Sequence, residues 1–142
     1  MTTLLDAIGN YLPAQTAGLA SNQQLVLGKN LFLGRFPAEA PNAAVLIQQY
    51  QGESPTLTFG NAVSQLENPR IQVMTRGERE DYPGAYDLCM VVRNILGAIT
   101  SNITIDGITI LRLEPLGSPN PIGYDDVDRP RFTANLQAHI LP

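Results

Sequence analysis

Few residues in this 142-residue chain could do chemistry, and their surroundings narrow what each could do. A hydrolytic triad needs a base, and His139 is the only histidine. It falls on the polar side of an alternating segment, with no orienting carboxylate or nucleophile nearby in sequence, so it reads as a solvated strand residue. The single cysteine, Cys89, falls on an apolar helical stripe, where a thiol behaves as a small hydrophobe. One cysteine forms neither an internal disulfide framework nor a Cys-rich zinc site. It fits a chain folded in a reducing cytoplasm.

Asp125, Asp126 and Asp128 are clustered carboxylates of the type that suits Ca²⁺ or Mg²⁺. Asp126 to Asp128 begins as D-x-D, but Pro130 and Arg131 stand where a calcium loop needs another oxygen ligand and a glycine. A solvated acidic loop is the plainer reading, and a metal-dependent hydrolase using this cluster is the enzymatic alternative. Neither G-x-x-x-x-G-K-[ST] nor G-x-G-x-x-G occurs, and the only lysine, Lys29, sits in no such frame. The expectation is a protein with no catalytic residue, no cofactor and no metal ligand.

What remains is chemistry of contact. Arg76, Glu78, Arg79, Glu80 and Asp81 form the densest charged stretch, and Asp125, Asp126 and Asp128 with Arg129 form a second. Mixed charges of this kind favour correct register between partners more than raw affinity, so both stretches are candidate subunit or partner surfaces. The net charge of −4 argues against gripping phosphates and is compatible with a channel past which DNA slides. Only 15% of residues are charged, and interface cores are depleted in charge.

The elements that must position these residues follow from spacing. Composition and length are those of one globular domain, residues 1–142, with a first part at 1–30 made of a helix and a connection. Thr3 and Asp6 have capping-box spacing, and Leu4, Leu5, Ile8 and Leu12 make a stripe that should dock on a sheet, ending at Pro13. Nothing at the start resembles a signal peptide, and no apolar run is long enough to span a membrane. Strands are expected over residues 31–36, 43–51 and 70–76. The second is apolar on both faces, and the third points Ile71, Val73 and Thr75 one way.

Residues 52–69 form a long connection, read as an arm or hairpin reaching a neighbour. Asp81 as N-cap and Pro83 in the first turn start the main helix, over about residues 84–100, with Ala85, Leu88, Cys89, Val92, Ile95, Leu96 and Ile99 inward. Asp106-Gly107 turns a hairpin that opposes Ile105 to Ile108 and Ile103 to Ile110. Residues 114–130 read as an acidic, proline-rich loop. The final strand, 131–140, alternates with Phe132, Ala134, Leu136, Ala138 and Ile140 inward, and Arg131, Thr133, Asn135, Gln137 and His139 outward. The fold class is therefore α+β: a mainly antiparallel sheet of about five to six strands packed by one long and one short helix.

The stretch Pro69-Arg-Ile-Gln-Val-Met-Thr-Arg76, then Asp81-Tyr-Pro-Gly-Ala-Tyr86 and the helix to Leu96, resembles the tail-terminator and minor capsid (neck) proteins of long, non-contractile-tailed bacteriophages. Phe36-Pro37 ahead of Ala43 to Gly52 is similar to the family's early proline, strand and Tyr-then-Gly ending. The order of elements over roughly residues 31–140 carries the likeness, not any single motif. It implies a ring-forming subunit, a homo-hexamer capping the tail tube and meeting the head–tail connector, with DNA passing the lumen. It also implies a place in the virion neck or tail after assembly in the host cytoplasm. A head-completion or stopper protein of the neck is the neighbouring alternative.

Overall fold

The computed structural model describes residues 3–57 and 65–141, with the side chains of 51–57 and 65–67 left undescribed. Helix α1 spans Leu4–Thr16, strand β1 Leu31–Leu33, β2 Ala44–Leu57, β3 Gln65–Arg76, helix α2 Tyr82–Gly97, β4 Ile103–Ile105, β5 Ile108–Pro115, β6 Asn120–Tyr124 and β7 Pro130–Leu141. The strands form one sheet in the order β1-β2-β3-β7-β5-β4, with β6 on β7. Every neighbouring pair but β1–β2 is antiparallel. The class is α+β as expected, with seven strands among the described residues.

Both helices lie on one face of this sheet and bury a common core. Ile8 and Leu12 of α1, Cys89, Val92 and Leu96 of α2, and Val45, Ile47, Ile71, Val73, Leu136 and Ala138 of the sheet are fully enclosed. The apolar stripes of both helices are thus the ones that spacing predicts. The capping box closes as expected: Thr3 Oγ1 accepts from the Asp6 N–H at 3.2 Å, and Asp6 Oδ2 accepts from the Thr3 N–H at 2.9 Å. Asp81 caps α2 by accepting from the Gly84 N–H at 3.1 Å.

Pro13 does not end α1, which continues to Thr16. The buried Thr16 hydroxyl donates to the Leu12 carbonyl at 3.0 Å and accepts from the Leu25 N–H at 3.0 Å, which ties the last turn down. The connection that follows holds one short 3-10 turn, Ser21–Gln23. β1 is shorter than expected because Gly34, at φ +85°, turns the chain away.

The Asp106-Gly107 turn has φ of 51° and 83°, and the register opposes Ile105 to Ile108 and Ile103 to Ile110 as read from sequence. Ile110 is fully buried, and the other three isoleucines pack against the same core.

Two expected connections are largely strand. Residues 52–69 continue β2 and β3 as a hairpin, pairing Glu53 with Asn68, Thr56 with Leu66 and Leu57 with Gln65. Register shifts at 50–53 and 53–56 each place one extra residue on β2, and these bulges accommodate Gly52 and Pro55. The rest of the expected arm, residues 58–64, lies outside the described residues. Within 114–130, β5 reaches Pro115 and residues 120–124 form β6 against β7. Tertiary pairing overrides the Pro and Gly content there, because Pro121 and Gly123 sit on an edge strand.

The second sheet face is only partly open. Phe32, Ala44 and Leu46 form a small second core with Phe36, Ala40 and Met74. β2 therefore has both faces covered at its start, as its sequence requires. On β7, Thr133 and Gln137 are buried although the alternation sends them outward. The correction has a plain cause: β7 is central, so Thr133 stands between Met74 and Asn120, and Gln137 is held by Arg70 and the Asn68 carbonyl.

Candidate subunit interface

The two charged stretches singled out in the sequence meet in space. β3 ends at Arg76, the turn to α2 carries Glu78 to Asp81, and β7 begins just after Arg129, so both lie at one end of the sheet. The Glu80 N–H donates to the Asp128 carbonyl at 2.9 Å, and the Gly77 N–H donates to the Pro130 carbonyl at 3.0 Å. These bonds lock the turn to the loop.

Three of the nine candidate residues are internal supports. Arg76 is buried, donates from Nε to the Asn42 carbonyl at 3.0 Å and from Nη2 to the Pro41 carbonyl at 2.6 Å, and stacks 4.4 Å above the Phe36 ring. Burial, joined by the nearby Arg129 charge, pulls its pKa below the ordinary arginine value, while Asp125 opposes that shift. An arginine nonetheless stays protonated at any physiological pH.

Arg129 donates from Nε to Asp125 Oδ2 at 2.7 Å and from Nη1 to Asn42 Oδ1 at 3.2 Å. Asp125 Oδ1 accepts from the N–H groups of Val127, at 3.1 Å, and Arg129, at 3.0 Å. Burial pushes the Asp125 carboxyl up, but these backbone donors and the Arg129 guanidinium outweigh it and hold the group below its ordinary value. Asn42 Nδ2 completes the hub by donating to Glu78 Oε2 at 3.1 Å.

The other candidates, Glu78, Arg79, Glu80, Asp81, Asp126 and Asp128, are exposed. Of these, Glu78 and Asp81, with Asp87, border a cleft of about 250 Å³, lined also by Ser21, Leu25, Ala44 and Leu88. This end holds seven of the thirteen acidic residues (78, 80, 81, 87, 125, 126 and 128) and four of the nine basic ones (76, 79, 129 and 131, the last paired across the sheet with Arg76). It therefore carries −3 of the net −4, and the remaining six acidic and five basic residues carry −1. Among the described residues, no group of three or more His, Cys, Asp or Glu side chains is placed to hold a metal ion.

Sequence reasoning missed Asn42 and a polar network on the outer sheet face. Gln48 Nε2 donates to Gln72 Oε1 at 2.7 Å, and Gln72 Nε2 donates to Asn135 Oδ1 at 3.2 Å, bridging three strands. Arg70 Nε donates to Gln137 Oε1 at 2.9 Å, while Gln137 Nε2 donates to the Asn68 carbonyl at 2.7 Å. His139, on the outward face as read from sequence and partly exposed, joins this network: its Nδ1 lies 2.9 Å from Asn68 Oδ1 and its Nε2 3.9 Å from Glu114. The signal was the run of amides at outward positions, which only cross-strand register turns into a network. Cys89 is fully buried, and desolvation pushes its thiol up to about 11.

The outer edge of β2 is the longest open one. β1 pairs only with Val45, Leu46 and Ile47, so the β2 edge from Gln48 to Leu57 has no neighbour on that side among the described residues.

The comparisons with known proteins place this fold. Residues 18–142 match the family described as bacteriophage tail terminator protein. The chain belongs to the bacteriophage tail terminator family. It is a structural protein of a phage tail, and its place is in the virion. The fold is similar to that of a chain in the virion of a native gene transfer agent particle, with a TM-score of 0.63 and 15% identity. That match covers 98% of this chain and 95% of the other, and at such identity it is a likeness of fold. No curated protein matches the sequence. No helix among the described residues is long and apolar enough to cross a membrane.

Proposed function

We propose that this tail terminator protein closes head-to-tail into a hexameric ring that caps the completed tail tube and joins it to the head-side connector, without catalysing a reaction. The family match over residues 18–142 carries this reading. The geometry supports it in two ways. A ring needs two different patches that meet when the rotation closes, and the open β2 edge with its hairpin extension is one patch suited to strand addition. The exposed, mixed-charge start of the turn into α2, Glu78 and Arg79, at the far end of the sheet is a second.

The exposed carboxylates at the end of the sheet, among them Glu80, Asp81, Asp126 and Asp128, offer phosphates nothing to hold, which suits a passage through which DNA must slide.

The test is light scattering on the purified protein across a wide concentration range, with negative-stain images and a binding assay on isolated tail tubes. Closed rings, alone or nucleated on tube ends, are expected. Replacing residues 54–66 by a short turn should prevent closure, and rings that survive it remove the hairpin from the account. A monomer that ignores tube ends sinks the capping role, and binding to filled, tailless heads instead assigns the protein to the stopper position.

A further inference from the structure

The exposed residues beside the acidic end are aromatic. Tyr82 and Tyr86, one turn apart on α2, meet the Phe132 ring edge-on at centroid distances of 4.8 and 5.5 Å. Phe132 stands opposite Pro121 of β6, and two residues along β7 Pro130 stands opposite Tyr124. Directly opposed residues share a sheet face, so Pro121 and Tyr124 lie on the helix side, next to the start of α2. All of β6 is exposed, and Tyr82, Tyr86 and Tyr124 keep 45%, 37% and 49% of their surface open to solvent. None of the three phenol groups has a hydrogen bond among the described residues.

The border of this patch is anionic. Glu80 and Asp81 precede α2, and Asp126 and Asp128 follow β6, with the Glu80–Asp128 backbone bond holding the two acidic segments together. Three of the chain's four net negative charges reside at this end, and the rest of the chain carries one. Half-exposed tyrosines ringed by carboxylates match one side chain best. A planar guanidinium stacks on an aromatic face and takes carboxylates two-pronged, whereas an ammonium remains a hydrated point charge. The fold already uses this geometry internally, with Arg76 stacked on Phe36.

We propose that the Tyr82–Tyr86–Tyr124 patch, with its acidic border, is a docking surface for an arginine-bearing segment of a different protein. Charge complementarity selects that occupant over a second copy: two acidic ends repel, and outside this end the chain carries six acidic against five basic residues, a net −1 with no cation surplus. The inference does not depend on ring closure, because a monomer presents the same patch.

The test titrates the full-length protein with hexa-arginine and, separately, hexa-lysine peptides at fixed ionic strength. The chain has no tryptophan and three of its five tyrosines lie in the patch, so tyrosine fluorescence follows binding, and the loss of signal change in the tyrosine variants assigns it to the patch. Saturable binding is expected, about threefold tighter for arginine than for lysine. Tyr124→Ser should erase that preference with an unchanged melting temperature, and Tyr86→Ser, which also loses its edge contact with Phe132 and so some stability, should erase it while the chain stays folded, guarding against a local effect of one substitution. Asp126→Asn with Asp128→Asn should weaken both peptides. Equal binding of the two peptides, or an arginine preference untouched by both tyrosine variants, overturns the proposal. Concentration-dependent self-association abolished by Tyr124→Ser also overturns it, since the occupant would then be a second copy.

Discussion

Asp125 offers the sharpest test of the claim that three of the nine candidate charged residues are internal scaffolding. In Asp125→Ala the carboxylate that accepts from the Val127 and Arg129 N–H groups at 3.1 and 3.0 Å, and from Arg129 Nε at 2.7 Å, is removed. The side chains of Arg129 and Asp125 are only 18% and 13% exposed, so water replaces the lost partner poorly. Hydrogen bonds to a charged group contribute about 1.5–3 kcal/mol each but share one anchor, and stripping one partner from a buried pair costs about 3–5 kcal/mol. With partial exposure, a loss of about 3 kcal/mol is expected, or a fall in melting temperature of about 10 °C. Asp126→Ala, one residue along and exposed, should stay within about 0.5 kcal/mol of the parent.

The pH dependence has a definite sign. The Asp125 carboxyl titrates below its ordinary value of 3.8 in the folded protein. Its contribution is therefore complete above the unfolded value and is lost as pH falls through the folded one. Urea titrations of parent and variant should differ most near neutrality and converge below about pH 4. Equal losses for Asp125→Ala and Asp126→Ala, or a gap that narrows as pH rises, would refute the reasoning.

Three further outcomes are expected. Gly97→Ala places a Cβ 2.7 Å from Pro115 Cγ, forcing α2 away from β5, and should cost about 1–3 kcal/mol in chemical denaturation. Gln137→Leu removes the amide that donates to the Asn68 carbonyl at the base of the hairpin; a loss of about 1–2 kcal/mol and faster hydrogen exchange at residues 65–68 are the readouts. Cys89, buried and with its thiol raised to about 11, should resist thiol reagents in the native protein and react fully only when urea unfolds it. Rapid native labelling would show that α2 detaches from the sheet.

Much of the fold was legible because its signals are local. The Thr3–Asp6 box, the Asp81 cap and the Asp106-Gly107 turn each depend on residues within three or four positions, where chain geometry alone brings the partners together. The helical stripes and the Ile71–Val73–Thr75 alternation follow from burial on one face. The likeness of residues 31–140 to tail terminators and neck proteins agrees with the family match over 18–142.

The misses share a different cause. β6 exists because β7 offers it a ladder, not because Asn-Pro-Ile-Gly-Tyr favours strand, and the hairpin beyond Tyr50 survives its Gly and Pro through bulges placed by pairing. The charged stretches at 76–81 and 125–129, about fifty positions apart in sequence, were found as charges. Only the tertiary structure divided them into supports and surface, since whether Arg129 is a rim or a strut depends on whether Asp125 and Asn42 stand within hydrogen-bond reach. The sequence by itself determined which residues are apolar, which can cap or turn, and how much charge the chain carries. The structure alone decided where that charge gathers, which polar groups satisfy one another across strands, and which sheet edge stays open. Those depend on contacts between distant residues, and nothing in local spacing encodes them.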